Sequence, residues 1–275
     1  MLGRTSEALE VVMPIRDGVI ADLPLTLAML REFMRRAGGK TWFRKLRRPE
    51  FAVSVPYGID NVKRRAIENT TAQMGGGKVV TVEEPLAAAL GSGIPVEEPV
   101  GSMVVGIGGG STQAAILSLG GLVVGHTMLR GGDYIDEMIV DYVKNTYNMT
   151  IGRRTAEQVK RTIGTAVSPE PSTKMDIRGR SLVNGLPTGL QLRAEELYEL
   201  LQDFIRNLVD SVRICLEQCP PELVGDILER GIVLCGGGAM LNGIDRRLQL
   251  ETKVPVVIAD RPLDCVALGV GQMLR

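Results

Sequence analysis

Three short stretches hold residue types that do chemistry. The first, VVGIGGGSTQ over residues 104–113, runs from apolar residues into Gly108, Gly109 and Gly110 and then the hydroxyls Ser111 and Thr112. Glycine lets successive backbone N–H groups approach an anion, so such a tip can cradle phosphate. The same glycines serve turn geometry alone in many hairpins. The second stretch, IVLCGGGAMLNGID over 232–245, delivers Gly236, Gly237 and Gly238 to a helix start, an arrangement that seats anions and nucleotides. The third is Glu83-Glu84-Pro85. A carboxylate at a helix N-terminus is favoured by the dipole, so Glu84 reads first as a cap and second as a group that orients water at a ligand. Neither glycine run completes a common fingerprint. After Gly106 and Gly108, Ser111 and a strand follow where G-x-G-x-x-G needs glycine and a helix. Gly77-Lys78 lacks the first glycine and the final hydroxyl of a P-loop.

Alternating strands and helices must position these stretches. The hydrophobic pattern predicts a helix over 22–37 with Leu27, Leu30 and Met34 on one face and Gly38 as its stop. A short buried strand is expected at 51–55, a helix capped by Asp60 to about Gln73, a strand at 78–82 and an alanine-rich helix opened by Pro85. Residues 101–130 read as three strands with glycine turns, and 133–147 as a helix with Ile135, Met138, Ile139, Tyr142 and Val143 inward. Thr155-Ala-Glu-Gln158 reads as a capping box. Residues 168–191 carry weak strand signals. The longest helix runs from Arg193 to about Gln218, on a stripe of Leu197, Leu201, Phe204, Leu208, Val212 and Cys215. Buried strands at 232–235 and 254–258 and a last helix at 263–274 complete an α/β chain whose glycine turns sit at strand ends, where α/β proteins bind ligands.

Composition removes some alternatives. The 275 residues are 44% hydrophobic, enough for a sizeable core. Lys+Arg and Asp+Glu number 32 each, so overall charge argues neither for nor against nucleic acid. No apolar run has the length of a membrane-spanning helix, and a cytoplasmic protein is expected. Cys215, Cys219, Cys235 and Cys265 lack zinc-ligand spacing and read as reduced core thiols. His126 is the only histidine, read as structural at a strand end, so no metal site is expected.

Six segments together resemble the MreB family of bacterial actins: RDGVIAD (16–22), VEEPLAAALGSG (82–93), GSMVVGIGGGSTQAAILSLGG (101–121), TAEQVK (155–160), LEQCPPEL (216–223) and ERGIVLCGGGAMLNGIDRRL (229–248). The resemblance implies an actin-like ATPase fold of two ribonuclease-H-like halves, with the first half incomplete. It divides the chain into 1–100 with 261–275 and 101–260, the latter with a smaller subdomain at 151–191. It implies ATP and Mg2+ in the cleft, and polymerisation, alone or with a full-length MreB relative, into filaments at the inner face of the cell membrane. There the family organises the cell-wall elongation machinery and so rod shape.

Carried over from the family, Gly108, Gly109, Gly110 and Ser111 match the second phosphate loop. Gly236 to Gly238, Ala239 and Met240 match the adenosine loop. Glu157 and Lys160, one turn apart on one helix face, match the border of ribose and base. Glu84 matches the acid near the attacking water. Three departures accompany this match. The family writes D-I-G-G-G-T-T-E where this chain has Gly106 through Gln113. The magnesium-side Asp is Gly106. The water-positioning Glu is Gln113, a degenerate catalytic site whose amide takes no proton at neutral pH. The family's first strand and D-L-G-T phosphate loop lie upstream of a chain that opens on MLGRT. General-base loss costs about 10²- to 10⁴-fold in rate, so weakened ATP binding, doubtful Mg2+ binding and little or no hydrolysis are expected. The opening also leaves 51–55 with a bare strand edge, which invites pairing with another chain. It fits a start placed late, a decayed copy or a genuine short product.

The segment GGKTWFRKLRRP (38–49) sets Trp42 and Phe43 among Lys40, Arg44, Lys45, Arg47 and Arg48. By composition it is either a solvated basic loop or a membrane contact, each cation near an anionic surface adding about 1 kcal/mol. The family's hydrophobic membrane loop corresponds to it, so Trp42, Phe43, Arg44 and Lys45 are expected to form a membrane loop. No nucleic-acid recognition motif accompanies it. The competing function is an ATPase or kinase-like enzyme of the actin and chaperone superfamily, although no kinase-type catalytic Asp or chaperone substrate domain is evident.

Overall fold

Three antiparallel strands joined by glycine turns form the centre of the molecule. In the computed structural model, which describes residues 11–16, 19–45, 50–74 and 77–274, the chain begins with the two-residue strands β1 (Ile15–Arg16) and β2 (Val19–Ile20) and helix α1 (Leu23–Lys45). Strand β3 (Phe51–Val55), α2 (Asn61–Ala72), β4 (Val79–Glu83) and α3 (Glu84–Gly91) follow. Then come β5 (Ser102–Ile107), β6 (Thr112–Ser118), β7 (Gly121–Met128), α4 (Gly132–Tyr147), β8 (Met149–Thr150) and α5 (Arg153–Ile163). The hairpin β9 (Lys174–Ser181) and β10 (Pro187–Arg193) precedes α6 (Ala194–Glu217), α7 (Pro221–Arg230) and β11 (Ile232–Cys235). A 3-10 turn at Gly237–Met240, α8 (Ile244–Thr252), β12 (Val256–Ile258) and α9 (Cys265–Gln272) end the chain.

The principal sheet has the order β12-β11-β5-β6-β7. Strand β11 is parallel to β5 and β12, and β5, β6 and β7 form an antiparallel meander. One face is covered by α6, whose predicted stripe from Leu197 to Cys215 is fully buried, together with Ile135, Ile139 and Val143 of α4. The other face packs Val104, Ala115, Leu117 and Cys235 against Ala88 and Ala89 of α3 and Cys265 of α9. Helices α3 and α9 touch backbone to backbone. A Cβ on Gly91 would stand 1.8 Å from Cys265 O, and one on Gly269 would stand 1.8 Å from Ala87 O. Two glycines therefore set that helix spacing, and any larger residue would force the helices apart.

Strands β3 and β4 form a separate parallel pair. Among the described residues β3 has no partner on its other edge. Only Val55 of β3 is buried, so the strand is half-buried rather than buried as its apolar run suggested.

Other expectations shift. Helix α1 passes through Gly38 and ends at Lys45, because glycine weakens a helix by only about 1 kcal/mol and does not compel a stop. The backbone of Trp42, Phe43, Arg44 and Lys45 is thus helical rather than a loop. Their side chains, with Arg47 and Arg48, lie outside the described residues. Helix α5 begins at Arg153 behind Gly152, whose carbonyl accepts from Thr155 N and Ala156 N, and no side chain caps it. Thr155 is therefore inside the first turn. A side-chain start bond occurs instead at α6, where Arg193 N donates to Glu196 Oε1 at 3.1 Å. Asp60 caps α2 as expected, accepting from Lys63 N at 2.8 Å.

Candidate functional site

The tip between β5 and β6 is closed by Gly108 N donating to Ser111 O at 2.8 Å. Its carbonyls are tied to the start of α4: Gly132 N donates to Gly108 O at 2.9 Å and Asp133 N to Gly109 O at 2.8 Å. Gly131 permits that approach, since a Cβ there would lie 2.5 Å from both Gly108 O and Gly109 O. Thr112 Oγ1 donates to Arg130 O at 2.8 Å and so fixes the same junction. With the carbonyls of Gly108 and Gly109 engaged, the tip keeps the N–H groups of Gly109 and Gly110 without an acceptor among the described residues. These are the groups an anion would take.

The second glycine run rests on the residue that precedes the first. Gly236 has φ +82, and a Cβ there would meet Ile107 O at 2.4 Å; at Gly238 it would meet Ile107 Cγ2 at 2.1 Å. The bare backbone of 236–238 thus sits directly on Ile107, one residue before Gly108. The N–H groups of Gly237 and Gly238 are likewise without an acceptor among the described residues. Both turns open into one cavity of about 890 Å³.

Of the residues singled out in the sequence, Gly108, Gly109, Glu157, Lys160, Gly237, Gly238 and Met240 line this cavity. Gly110, Ser111, Gly236 and Ala239 belong to the same two turns without lining it, Ala239 being fully buried beneath. Two acids that the sequence reading passed over, Asp133 and Asp136, line the cavity as well. Asp133 lies beside the phosphate-type tip: a Cβ on Gly109 would be 3.5 Å from its Oδ2. The available signal was the Gly131-Gly132-Asp133 run at a helix start, where an acid three residues before another shares its face.

Lys160 joins the tip to α5. Its Nζ lies 2.8 Å from Asp136 Oδ1 and donates to Gly132 O at 2.9 Å. Asp136 is buried, and burial holds its carboxyl above the usual range; Lys160 opposes this, while Glu157 and Asp133 add to it.

Glu84 and Gln113 do not line the cavity. Glu84 is the first residue of α3, yet its carboxylate accepts from Gln113 Nε2 at 2.6 Å instead of capping the helix. Burial raises its pKa and the Gln113 bond lowers it. Gln113 Oε1 accepts from Tyr57 N at 2.8 Å, so both ends of the amide are engaged. Gln113 and Gly106 stand directly opposite each other on β6 and β5. That part of the cleft offers no carboxylate from either position, which does not suit a magnesium ion. Among the described residues no group of three potential ligands gathers around any metal position. All four cysteines are free and buried.

Two glycine turns stacked at the carboxyl ends of β5 and β11, in a sheet of mixed order flanked by helices, define an actin-like fold. The family described as MreB/Mbl protein matches residues 1–275. The chain is 45% identical to the cell shape-determining protein MreB of Escherichia coli K12 over all of its length and 79% of that protein's. It is 40% identical to the cell shape-determining protein Mbl of Bacillus subtilis 168, covering 81% of it. The crystal structure of MreB 5 of Spiroplasma citri bound to AMPPNP superposes with a TM-score of 0.92 at 36% identity, over 99% of this chain and 81% of that one. The chain belongs to the MreB/Mbl family.

Proposed function

We propose that the chain is an MreB-type cytoskeletal subunit that binds an adenine nucleotide in this cavity and assembles into cell-shape-determining filaments at the inner face of the membrane. The convergence of two glycine turns with free N–H groups on one 890 Å³ cavity carries this reading. A nucleotide's anionic phosphates would lie at the glycine tip against Gly109, and its adenosine would lie against Gly237, Gly238 and Met240, with Glu157 and Lys160 at its border. Spiroplasma citri MreB 5 bound to AMPPNP supports nucleotide occupancy of the shared fold.

Binding is weak and hydrolysis slow in this reading, because Gly106 supplies no carboxylate for a magnesium shell and Gln113 cannot take a proton. The β3–β4 pair with α3 and α9 would form one half (1–100 with 261–275). The five-stranded sheet and its helices would form the other (101–260), with 151–191 as its smaller part. Membrane contact is assigned to the Trp42–Lys45 segment, and organisation of cell-wall synthesis to the filament. Among the described residues no helix is long and apolar enough to cross a membrane; peripheral attachment at the inner face is part of the proposal. Titration with ATP, with and without Mg2+, tests the cleft; an absence of binding in both overturns it. Co-sedimentation with ATP and anionic liposomes tests the filament reading. A protein that stays in the supernatant with ATP and lipid present is not a membrane filament subunit.

A further inference from the structure

The turn that follows β3 is held on the principal sheet by three contacts. Tyr57 N donates to Gln113 Oε1 at 2.8 Å, and Tyr57 O accepts from Thr127 Oγ1 at 3.1 Å. The Tyr57 ring covers Gly125, where a Cβ would stand 2.6 Å from Cε1. Gln113 and Thr127 are cross-strand partners on β6 and β7, and Gly125 shares their face by the two-residue period of a strand. Gln113 is only 2% exposed. Its other end donates to Glu84 at the start of α3. One buried amide therefore binds two separate points of the β3–β4–α3 unit, from the middle strand of the β5–β6–β7 meander.

We propose that Gln113 is a positioning residue, an uncharged latch that fixes the angle between the β3–β4–α3 unit and the principal sheet and holds the Glu84 carboxylate in place. The latch goes beyond the nucleotide reading and does not depend on it. The residue type matters because the position must accept from Tyr57 N and donate to Glu84 at once. An amide does both, whereas an ionised carboxylate only accepts. A glutamate here would place two carboxylates at hydrogen-bond distance, and such a pair holds one shared proton. Gly106, directly across on β5, brings no side chain to compete for the amide. Glycine at 106 and glutamine at 113 thereby form one matched neutral pair.

The test reads amide exchange of Tyr57 in the full chain without nucleotide. Gln113→Met keeps the length and removes both bonds; Tyr57 should then exchange about ten-fold faster. Thr127→Val, which leaves Gln113 intact, should raise the same exchange and carries the test if Gln113→Met does not fold. Gln113→Glu should be loose at pH 7 and regain protection toward pH 5, after correction for intrinsic exchange, as Glu84 and the new carboxyl come to share a proton. Among the described residues, the Cys235 thiol lies near both Glu84 and Cys265, and Glu83, next in the chain to Glu84, pairs with Arg64. The parent's protection should stay level over that range. Parental exchange in both Gln113→Met and Thr127→Val, or a pH-flat Gln113→Glu, overturns the latch. An ATP titration of the same variants separates the two readings: if the parent binds no ATP, the nucleotide reading fails while the exchange differences among variants stand.

Discussion

Replacing Lys160 by methionine should weaken the protein in a pH-dependent way. In the parent, the Lys160 and Asp136 side chains are 17% and 9% exposed and meet at 2.8 Å. Methionine keeps most of the aliphatic stem and leaves Asp136 as an unpaired, buried carboxylate. Breaking a fully buried pair costs about 3–5 kcal/mol and an exposed one at most about 1 kcal/mol. A site open to the cavity on one side should cost about 2–3 kcal/mol at pH 7, a fall in Tm of about 5–10 °C for a chain of this size. The sign of the pH effect follows from the raised pKa of Asp136, whose main cause is burial. Between its unfolded value of about 4 and its raised folded value, the folded state binds more proton. Stability therefore falls as pH rises through that window and levels off above it. Lys160 opposes the rise, so removing it pushes the carboxyl further up and widens the window toward neutrality. The deficit of Lys160→Met should be largest at pH 7 and shrink toward pH 5. Urea unfolding followed by far-UV circular dichroism at pH 7, 6 and 5 measures it. Asp136→Asn added to Lys160→Met should recover more than half of the pH 7 loss. A variant as stable as the parent at pH 7, or a deficit independent of pH, refutes the reasoning.

Three further outcomes follow from distances. Gly131→Ala drives a Cβ to 2.5 Å from two carbonyls of the glycine tip and should cost about 1–3 kcal/mol in urea unfolding. Gly109→Ala meets nothing closer than Asp133 Oδ2 at 3.5 Å, so it should fold as the parent does and lose ATP affinity in titration. Gly106→Asp has room, its Cβ facing Cys235 Sγ at 3.4 Å, and should make ATP binding depend more strongly on Mg2+; equal titrations with and without the ion would remove the role given to this position. The thiols should resist maleimide in the folded protein, because all four are buried and burial pushes Cys215 up to about 11 and Cys235 up to about 12; four labels should appear only after denaturation.

Much of the architecture is legible in the order of residues where a single period dominates. The α6 stripe recurs every three to four residues and is buried at every predicted position. The meander is marked at each end by glycine. The β9–β10 hairpin was faint because mainly one residue on each strand is buried, Ile177 on β9 and Leu192 on β10, so the alternation that marks a strand is barely written. The end of α1 was misplaced because Gly38-Gly39 lowers helix propensity without forbidding helix. At the site, the glycines were visible because their role is local. Asp136 and its pairing with Lys160 were not, since the partners are 24 residues apart on two helices and meet only after α4 and α5 pack. The engagement of Glu84 was hidden in the same way: a carboxylate at a helix start looks like a cap until a strand from elsewhere brings it a donor.

Gly106 and Gln113, the two departures from the MreB-type motif, are linked by register rather than by sequence distance. Cys235, Gly106, Gln113 and Thr127 stand side by side across β11, β5, β6 and β7. This row lies under the turn of Tyr57 and beside Glu84. A carboxylate at 106 would face position 113 directly, and a carboxylate at 113 would face Glu84. Two acids in this row would make three negative charges along one buried line with Glu84, a line that needs a cation to be tolerated. Removing one acid alone would leave the other to compete with Glu84. Replacing both gives a row that carries no charge of its own and still closes its hydrogen bonds through Gln113 and Thr127. The neutral pair is therefore self-consistent as a structure, and in the proposed reading its consequence would be a weaker hold on a divalent ion. Restoring Gly106→Asp without Gln113→Glu should recover ion dependence while keeping the Tyr57 bond, whereas restoring both should tighten ion binding and loosen Tyr57 whenever the ion is absent. Calorimetric Mg2+ titration of ATP-bound protein, paired with Tyr57 amide exchange, separates these effects, and a double variant whose Tyr57 protection ignores Mg2+ would show that the row is not coupled in this way.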